Sequence, residues 1–264
     1  MRSIMSFTGG LDSTLLLYKL LTETDDEVYA FTLDLQFCID TTLEHKQYME
    51  KVSAMKIAYW MNENIRPFKY DIVDKPHGFL YENLPMMEAL YFAIPYLNED
   101  LYDRFCFAFS AEDIGTFGKQ VKNAMEYRFE QYATRGTLEF TLQEQNLGRA
   151  HALTTIPKEL LNITADCTRI GPNHEKCGYC LKCKCRAQDF KRLSEGLTPD
   201  ECVQLRVDLK NKNANVLDAL GRPASWIDPE LQTMGTIIPT SAPEHQEYKH
   251  IFTNKYDGGI HEQD

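Results

Sequence analysis

Apolar runs and helix-like patterns alternate along the first half of the chain. Four short runs rich in apolar residues predict strands, and they cover residues 4–7, 28–33, 68–73 and 104–110. After each run, apolar residues recur at the spacing of one helix face, which predicts helices over residues 12–21, 43–61, 84–97 and 121–132. The second run is apolar nearly throughout, which is typical of a parallel sheet buried on both faces. The order of the elements predicts an α/β fold with a doubly wound parallel sheet.

The character of the sequence changes after Gly148. Pro157 stands where a helix would start, a run of cysteines follows, and beyond about Leu205 the chain is polar and contains several prolines. A chain of 264 residues has room for one α/β domain with an appendage. We therefore expect three parts, namely an α/β domain in residues 1–150, a helical cysteine-rich segment in residues 151–200, and a polar, irregular extension in residues 201–264.

The composition is typical of a globular protein with a hydrophobic core, and the charge balance limits the classes of binding partner. Hydrophobic residues make up 43% of the chain, and 28 Lys and Arg stand against 39 Asp and Glu, a formal net charge of −11. This balance argues against a broad nucleic-acid surface, which needs clustered Lys and Arg, although a local basic patch lies within residues 176–192. No run of about 18 apolar residues and no signal peptide is found, so we expect no membrane span and a cytoplasmic location.

The first predicted strand runs into a turn that we call the glycine turn, residues 8–13 (TGGLDS). Its two glycines let backbone N–H groups approach an anion without a Cβ in the way. The helix that follows adds free N–H donors and a positive partial charge, and Thr8 and Ser13 offer hydroxyls. Asp12 suits a Mg²⁺ ion or a helix cap. The turn indicates a phosphate site that is not a Walker P-loop; the alternative is a plain strand-to-helix turn.

Five of the eight cysteines crowd into residues 167–185. Four of them have the spacing C-x9-C-x2-C-x2-C, and these are Cys167, Cys177, Cys180 and Cys183. The spacing suits tetrahedral Zn²⁺, because two-residue spacers let successive thiolates turn toward one point, and four protein ligands make such a site structural. Cys185 is then a spare thiol, and His174 fits less well as a replacement ligand. The rival interpretations are a redox dithiol and cysteines that are merely buried.

The string SFTGGLDST resembles the SGGxDS signature of the PP-loop ATP pyrophosphatases. Thr8 stands where that superfamily usually has serine, and it keeps the hydroxyl. The resemblance implies an adenine nucleotide alpha hydrolase-like, Rossmann-like domain in which the turn holds the pyrophosphate of ATP. The implied ATP-binding residues are Ser6, Phe7, Thr8, Gly9, Gly10, Leu11, Asp12, Ser13 and Thr14.

A second segment resembles one particular family within this superfamily. Residues 177–190, CGYCLKCKCRAQDF, are similar to the CGxCxxCxxRxxxF tail of the 7-cyano-7-deazaguanine synthases of the queuosine pathway, which are PP-loop proteins with a four-cysteine zinc site. Residues 109–113, FSAED, resemble the second strand-end motif of that family. Residues 157–159, PKE, resemble its lysine-containing stretch ahead of the cysteines. The likeness follows the same order along the chain and covers roughly residues 1–195.

The family resemblance implies an ATP-dependent ligase reaction that forms a carbon–nitrogen bond. In that family ATP adenylates 7-carboxy-7-deazaguanine, ammonia displaces AMP, and a second activation dehydrates the amide to the nitrile. The implied cofactors are ATP, Mg²⁺ and Zn²⁺. On this interpretation Asp12 handles Mg²⁺, Lys158 contacts phosphate and Asp113 faces the substrate. The alternatives are a solvated lysine for Lys158 and a helix cap or loop carboxylate for Asp113.

Three segments depart from the family pattern. Residues 36–39 replace its usual YGQ segment, Glu82-Asn83 keeps only the second residue of an RN pair, and residues 114–119 replace a YPDCR segment. Two alternatives therefore remain, namely a PP-loop enzyme that adenylates another carboxylate or carbonyl, and a non-catalytic module that binds ATP or AMP. The expected partners are ammonia and a small molecule like 7-carboxy-7-deazaguanine rather than nucleic acid. A homodimer is compatible with the sequence.

Overall fold

The computed structural model describes residues 1–35, 41–75, 84–113, 116–167 and 175–212. In these residues five parallel strands form one sheet in the order β3-β2-β1-β4-β5. The strands are β1 (Arg2–Ser6), β2 (Glu27–Leu35), β3 (Lys69–Lys75), β4 (Arg104–Cys106) and β5 (Thr137–Glu139). The strand order reverses between β1 and β4, so the carboxyl ends of these two strands border the crevice where such sheets bind ligands. The predicted α/β fold with a parallel sheet is confirmed.

Nine helices accompany the sheet within the described ranges. They are α1 (Leu11–Glu23), α2 (Thr41–Asn64), α3 (Leu84–Asn98), α4 (Thr116–Tyr132), α5 (Thr141–Glu144), α6 (Arg149–Thr155), α7 (Lys158–Ile163), α8 (Leu181–Ser194) and α9 (Pro199–Lys212). The first four correspond to the helices predicted from apolar spacing, and α7 begins directly after Pro157, as predicted. None of the described helices is long and apolar enough to cross a membrane.

The sheet is buried on both faces, because successive residues of β1 enter two separate cores. Met5 belongs to the core that holds Leu17 of α1 and Ile57 of α2. Its neighbour Ile4 points to the opposite face and belongs to the core that holds Leu90 of α3. All five side chains are fully buried. Burial on two sides is the reason why the central strand segments are apolar nearly throughout.

Two elements differ from the prediction. β4 ends at Cys106 rather than at residue 110, and its last residue pairs with Met5 of β1 and with Glu139, the last residue of β5. The sequence predicts an irregular chain from about residue 205, whereas α9 continues to Lys212. Val203 and Arg206 on this helix are buried, so α9 packs onto the domain despite its polar sequence.

Some predictions fall on residues that the structure leaves undescribed. The divergent residues 36–39 and 82–83, His174, and residues 213–264 of the expected extension lie outside the described ranges. The divisions at residues 150 and 200 stay predictions. Within the described ranges β5, α5, α6 and α8 were not predicted, because each is too short or too polar to show a clear apolar period.

Four polar side chains tie the strands together at the amino end of the sheet. The carboxylate of Asp26, just before β2, accepts hydrogen bonds from the Ser3 hydroxyl at 2.5 Å and from Nη2 of Arg104 at 2.6 Å. Nη1 of Arg104 donates to Oε2 of Glu139 at 2.6 Å. Burial opposes ionisation of Asp26, but the hydrogen bonds from Ser3 and Arg104 outweigh it, and the pKa of this carboxyl lies below its usual value.

The substitution Asp26→Asn is expected to lower the free energy of unfolding by about 3 kcal/mol at neutral pH, because it removes one of the two carboxylate partners of the largely buried guanidinium of Arg104. Since the folded-state pKa of Asp26 is lowered, its stabilisation is complete above the ordinary pKa of an aspartate and is lost as the pH falls through the folded-state pKa. Urea unfolding at neutral and acidic pH measures both effects. Glu23→Gln is the control, because it removes an exposed ion pair with Lys19 and is expected to lower the free energy of unfolding much less. Equal losses in the two variants would contradict the stabilising role of the four polar side chains.

Candidate active site and metal centre

The glycine turn leads from β1 into α1 at the carboxyl end of the sheet. Gly9 has a φ of +68°, in the left-handed region that favours glycine. A Cβ built on it would lie 2.5 Å from the amide nitrogen of Ala54 and 2.8 Å from the carbonyl oxygen of Glu50. Both atoms belong to the backbone of α2, so the turn lies directly against this helix. Glycine is therefore required at this position both by the backbone angle and by the close approach of α2.

Two hydroxyl groups and the first turn of α1 complete the glycine turn. The hydroxyl oxygens of Thr8 and Ser13 lie 3.2 Å apart. Gly10, at the N-cap, offers no side chain to the first amides of α1, and such amides are donors for an anion. Five of the residues implied as ATP-binding are buried, namely Phe7, Gly9, Leu11, Ser13 and Thr14. Thr8 is exposed and offers its hydroxyl to a ligand directly, while the hydroxyl of the buried Ser13 lies beside it.

Two carboxylates meet where the strand order reverses. Asp12 lies in the first turn of α1, and Asp113 follows β4. The amide and the hydroxyl of Ser110 each donate to Oδ2 of Asp113 at 2.9 Å, which holds this carboxylate within the loop after β4, and its role stays a prediction. Burial and the negative charge of Asp113 raise the pKa of Asp12 to about 7. Such a pair suits Mg²⁺, which proteins often bind through one or two carboxylates.

Arg149 supplies positive charge beside these carboxylates. It is the first residue of α6. Its positive charge lowers the pKa of Asp12, and this effect is larger than the effect of the charge of Lys182 on the same carboxyl. Burial would lower the pKa of Arg149 itself, but negative charges that include Glu112, Asp12 and Asp189 raise it overall. The guanidinium therefore stays charged and balances the carboxylates at the crevice.

Lys158, the cation that the resemblance implies, has a different place. It is exposed at the start of α7, and no hydrogen bond or ion pair of the described residues joins it to the carboxylate pair. Sequence reasoning missed Arg149, because an arginine in a polar stretch is usually exposed. One signal could have indicated it: Gly148 precedes the buried positions Ala150 and Leu153, a pattern that marks the start of a packed helix.

The four predicted metal ligands come together. The sulfur atoms that lie within 4.8 Å of one another are those of Cys167, Cys177, Cys180 and Cys183. The separation is 3.8 Å between Cys167 and Cys180 and 3.9 Å between Cys177 and Cys183. A tetrahedral ion with bonds of about 2.3 Å separates its sulfur ligands by about 3.8 Å. The four thiols therefore fit a metal ion, and Cys185 lies outside the group, as predicted.

The local fold explains why the sulfur atoms converge. Gly178, between two of the ligands, has a φ of +77°, which turns the chain back on itself. The amide of Cys180 points at the sulfur of Cys177 at 3.3 Å, and the amide of Cys183 points at the sulfur of Cys180 at 3.5 Å. Cys180 is at the same time the N-cap of α8. Amide donors of this kind favour the thiolate form that a metal needs.

The segment that leads to Cys167 also contacts the glycine turn. The amide of Ala165 donates to the carbonyl oxygen of Gly9 at 2.8 Å. Met49 of α2 is buried in one cluster with Cys167 and Cys183. Helix α2 also lies against the turn. The segment with Ala165 and helix α2 therefore each contact both the glycine turn and the metal ligands, and they fix the position of one relative to the other.

Comparisons with known proteins leave the family open. No protein family model matches the sequence, and no curated protein matches it. Among solved structures, the chain is similar to the U34-tRNA thiolase NcsA from Methanococcus maripaludis with its [4Fe-4S] cluster. The two are 14% identical over 75% of this chain and 74% of that chain, with a TM-score of 0.38. A likeness of this size carries no functional inference.

The close approach of Gly9 to α2 predicts that Gly9→Ala destabilises the protein more than backbone strain alone would. Gly196 also has a positive φ, of +96°, but nothing lies within 4 Å of a Cβ built on it. The control Gly196→Ala is therefore expected to cost about 1–2 kcal/mol from backbone strain. Gly9→Ala adds a clash with the backbone of α2 and is expected to cost more. Urea unfolding measures both variants, and equal losses would contradict the close contact.

The sulfur geometry predicts one bound metal ion per chain. Cys180→Ser is expected to reduce the metal content well below one per chain and to lower the melting temperature, because three ligands hold the ion less tightly and binding contributes to folding. Cys185→Ser is the matched control, since this buried cysteine lies outside the group. Elemental mass spectrometry measures the metal, and visible absorption distinguishes zinc from iron–sulfur. Metal-free wild-type protein that folds fully would count against the site.

Proposed function

We propose that this chain is an ATP-dependent enzyme of the PP-loop class that activates a carboxylate by adenylation. The observation that carries the proposal is the meeting of the glycine turn, the Asp12–Asp113 pair and Arg149 at the carboxyl ends of β1 and β4. Together they offer donors to phosphate, carboxylates to Mg²⁺ and a fixed cation to developing negative charge. A nucleotide triphosphate with its metal ion needs all three.

Each group has a separate task in this proposal. The amides and hydroxyls of the glycine turn bind the pyrophosphate part of ATP. Asp12 holds Mg²⁺, which neutralises phosphate charge when it is bound. Arg149 stabilises the negative charge that builds up around the α-phosphate as the carboxylate attacks it. Because these groups lie on buried, rigid elements, they also align the two reactants.

The proposed substrates are 7-carboxy-7-deazaguanine, ammonia and ATP, as the family resemblance implies. A carboxylate oxygen attacks the α-phosphorus, which forms the acyl adenylate and releases pyrophosphate. Ammonia attacks the acyl carbon, AMP leaves with the bonding electron pair, and loss of a proton gives the amide. The amide oxygen then attacks the α-phosphorus of a second ATP and releases pyrophosphate, and loss of AMP and two protons gives the nitrile. ATP is required because the carbon–oxygen bond breaks readily when the oxygen leaves as part of AMP. The oxygen of a free carboxylate or amide is a poor leaving group.

The four cysteines are proposed to hold Zn²⁺ in a structural role. Sulfur separations of 3.8 and 3.9 Å support a single ion, whereas a [4Fe-4S] cluster attaches its thiolates to different irons and needs a wider arrangement. Four sulfur ligands leave no open position for a substrate. On this proposal the ion folds the segment that carries Ala165 against the glycine turn.

Adenylation of a different carboxylate is the second candidate. The likeness to the family ends near residue 195, yet Arg206 of α9 reaches the crevice, with Nε 3.2 Å from Oε2 of Glu112. A helix outside the family pattern that borders the crevice favours a changed acceptor pocket. Both candidates use the same ATP chemistry and differ only in the molecule that is activated.

The deciding assay incubates purified protein with ATP, Mg²⁺, ammonia and 7-carboxy-7-deazaguanine. Mass spectrometry follows AMP and the nitrile. The proposal expects AMP that depends on the substrate, together with nitrile or amide. AMP without either product favours another acceptor. Retained ATP binding with no AMP, whatever carboxylate is supplied, overturns the enzymatic proposal in favour of a nucleotide-binding module.

Two variants decide which cation faces the nucleotide. Arg149→Met is expected to lower kcat/KM for ATP by about 100- to 1,000-fold, because it removes a largely buried charge from the transition state. Lys158→Met, which removes an exposed side chain, is expected to leave kcat/KM within about threefold of the wild type. Steady-state rates of AMP formation measure both. The reverse order of effects would restore Lys158 to the role that the resemblance implies.

A further inference from the structure

Arg206 is buried at the crevice although its helix lies beyond the family resemblance. Only 4% of the residue is exposed, and its guanidinium contacts two carboxylates from different parts of the chain. Nε lies 3.2 Å from Oε2 of Glu112, which follows β4. Nη2 donates to Oδ1 of Asp189 in α8. One arginine on α9 therefore bridges the loop after β4 and α8.

Glu112 links Arg206 to the start of α6. Its Oε1 accepts the amide hydrogen of Arg149 at 3.0 Å, while Oε2 faces Arg206. A carboxylate in this place stabilises the N-terminus of the helix that begins with Arg149. The fit is tight, because a Cβ at Gly148 would lie 2.6 Å from Oε1 of Glu112 and 2.8 Å from Cγ2 of Val203 on α9. A displacement of α9 or Glu112 would therefore also displace the first residues of α6.

Asp189 links Arg206 to the side chain of Arg149. The residue is 1% exposed, its Oδ2 lies 4.0 Å from Nη1 of Arg149, and its Oδ1 is bound by Arg206. The two guanidinium groups repel each other, and the carboxylates between them offset this repulsion. Arg206 thus acts on Arg149 twice, through Glu112 at its backbone and through Asp189 at its guanidinium.

We infer that Arg206 is a positioning residue, which fixes Arg149 at the crevice through Glu112 and Asp189. The inference rests on the proposed function, because there Arg149 stabilises the charge that develops on the α-phosphate. It makes α9 a part of the active-site framework, although this helix lies outside the segment that resembles the family. Arg206 itself is assigned no contact with the reacting atoms.

A double-mutant cycle in the full-length protein tests the inference, with AMP formation as the activity. Arg206→Gln is expected to lower kcat/KM by about 100-fold, since misplacement of a catalytic group by about 1 Å has an effect of this size. The double variant Arg206→Gln/Arg149→Met is expected to be no slower than Arg149→Met alone, because Arg206 then has nothing to position. A double variant that shows the product of the two single losses overturns the inference.

The control separates positioning from stability. Arg104 also pairs with two carboxylates, Asp26 and Glu139, but at the amino end of the sheet. Arg206→Gln and Arg104→Gln are both expected to lower the Tm by several degrees. Only Arg206→Gln is expected to lower kcat/KM at a temperature where both variants are folded. Equal and small changes of kcat/KM in the two variants would make Arg206 a structural residue and overturn the inference.

A second variant covers the case in which Arg206→Gln does not fold. Arg206→Lys keeps the charge but cannot contact two carboxylates at once. It is expected to recover most of the Tm while kcat/KM stays about tenfold low. A Lys variant with full activity overturns the inference and leaves the proposed function intact. Wild-type protein that forms no AMP overturns the proposed function and, with it, this inference.

Discussion

The backbone of Gly9 fixes the geometry on which the rest of the site depends. The turn can lie against α2 only because position 9 carries no Cβ and adopts a positive φ. Its carbonyl oxygen accepts the amide of Ala165, two residues before the first metal ligand. One glycine thereby brings together the first turn of α1, α2 and the cysteine segment. Any larger residue would separate the turn from α2 and, through Ala165, from the segment that leads to Cys167.

The charged side chains at the crevice are better explained as a means of orienting Arg149 than as a source of stability for the fold. Buried ion pairs add little stability compared with apolar packing, because desolvation opposes their attraction. Yet the crevice is bordered by Glu112, Asp189 and two arginines, all of them largely removed from water. Their arrangement leaves Arg149 with a fixed guanidinium near Asp12. A hydrophobic replacement would pack as well, but it would offer no charge to a phosphate.

The sequence predicts the parts of this protein that are encoded locally and misses those assembled from distant elements. The apolar period within each segment was enough for the first strands and the four long helices, and the spacing of the cysteines was enough for their convergence. Arg149 and Arg206 were missed because their carboxylate partners lie on other elements of the fold. The same holds for α9, whose polar composition conceals a single buried face that carries Val203 and Arg206.

On the proposed function, the cysteine segment and α9 support the reacting groups rather than supplying them. Asp12 and Arg149 lie in the first turns of α1 and α6, two helices that share one core. The cysteine segment reaches the turn before α1 through the hydrogen bond from Ala165, and α9 reaches the start of α6 through Arg206 and Glu112. On the proposed function, an ion held by all four thiolates leaves no open coordination position, so it would act on the reaction through the fold, by way of the hydrogen bond between Ala165 and the glycine turn. Arg206 would likewise act through the position of Arg149, so an effect of either support on the reaction would be an effect of geometry.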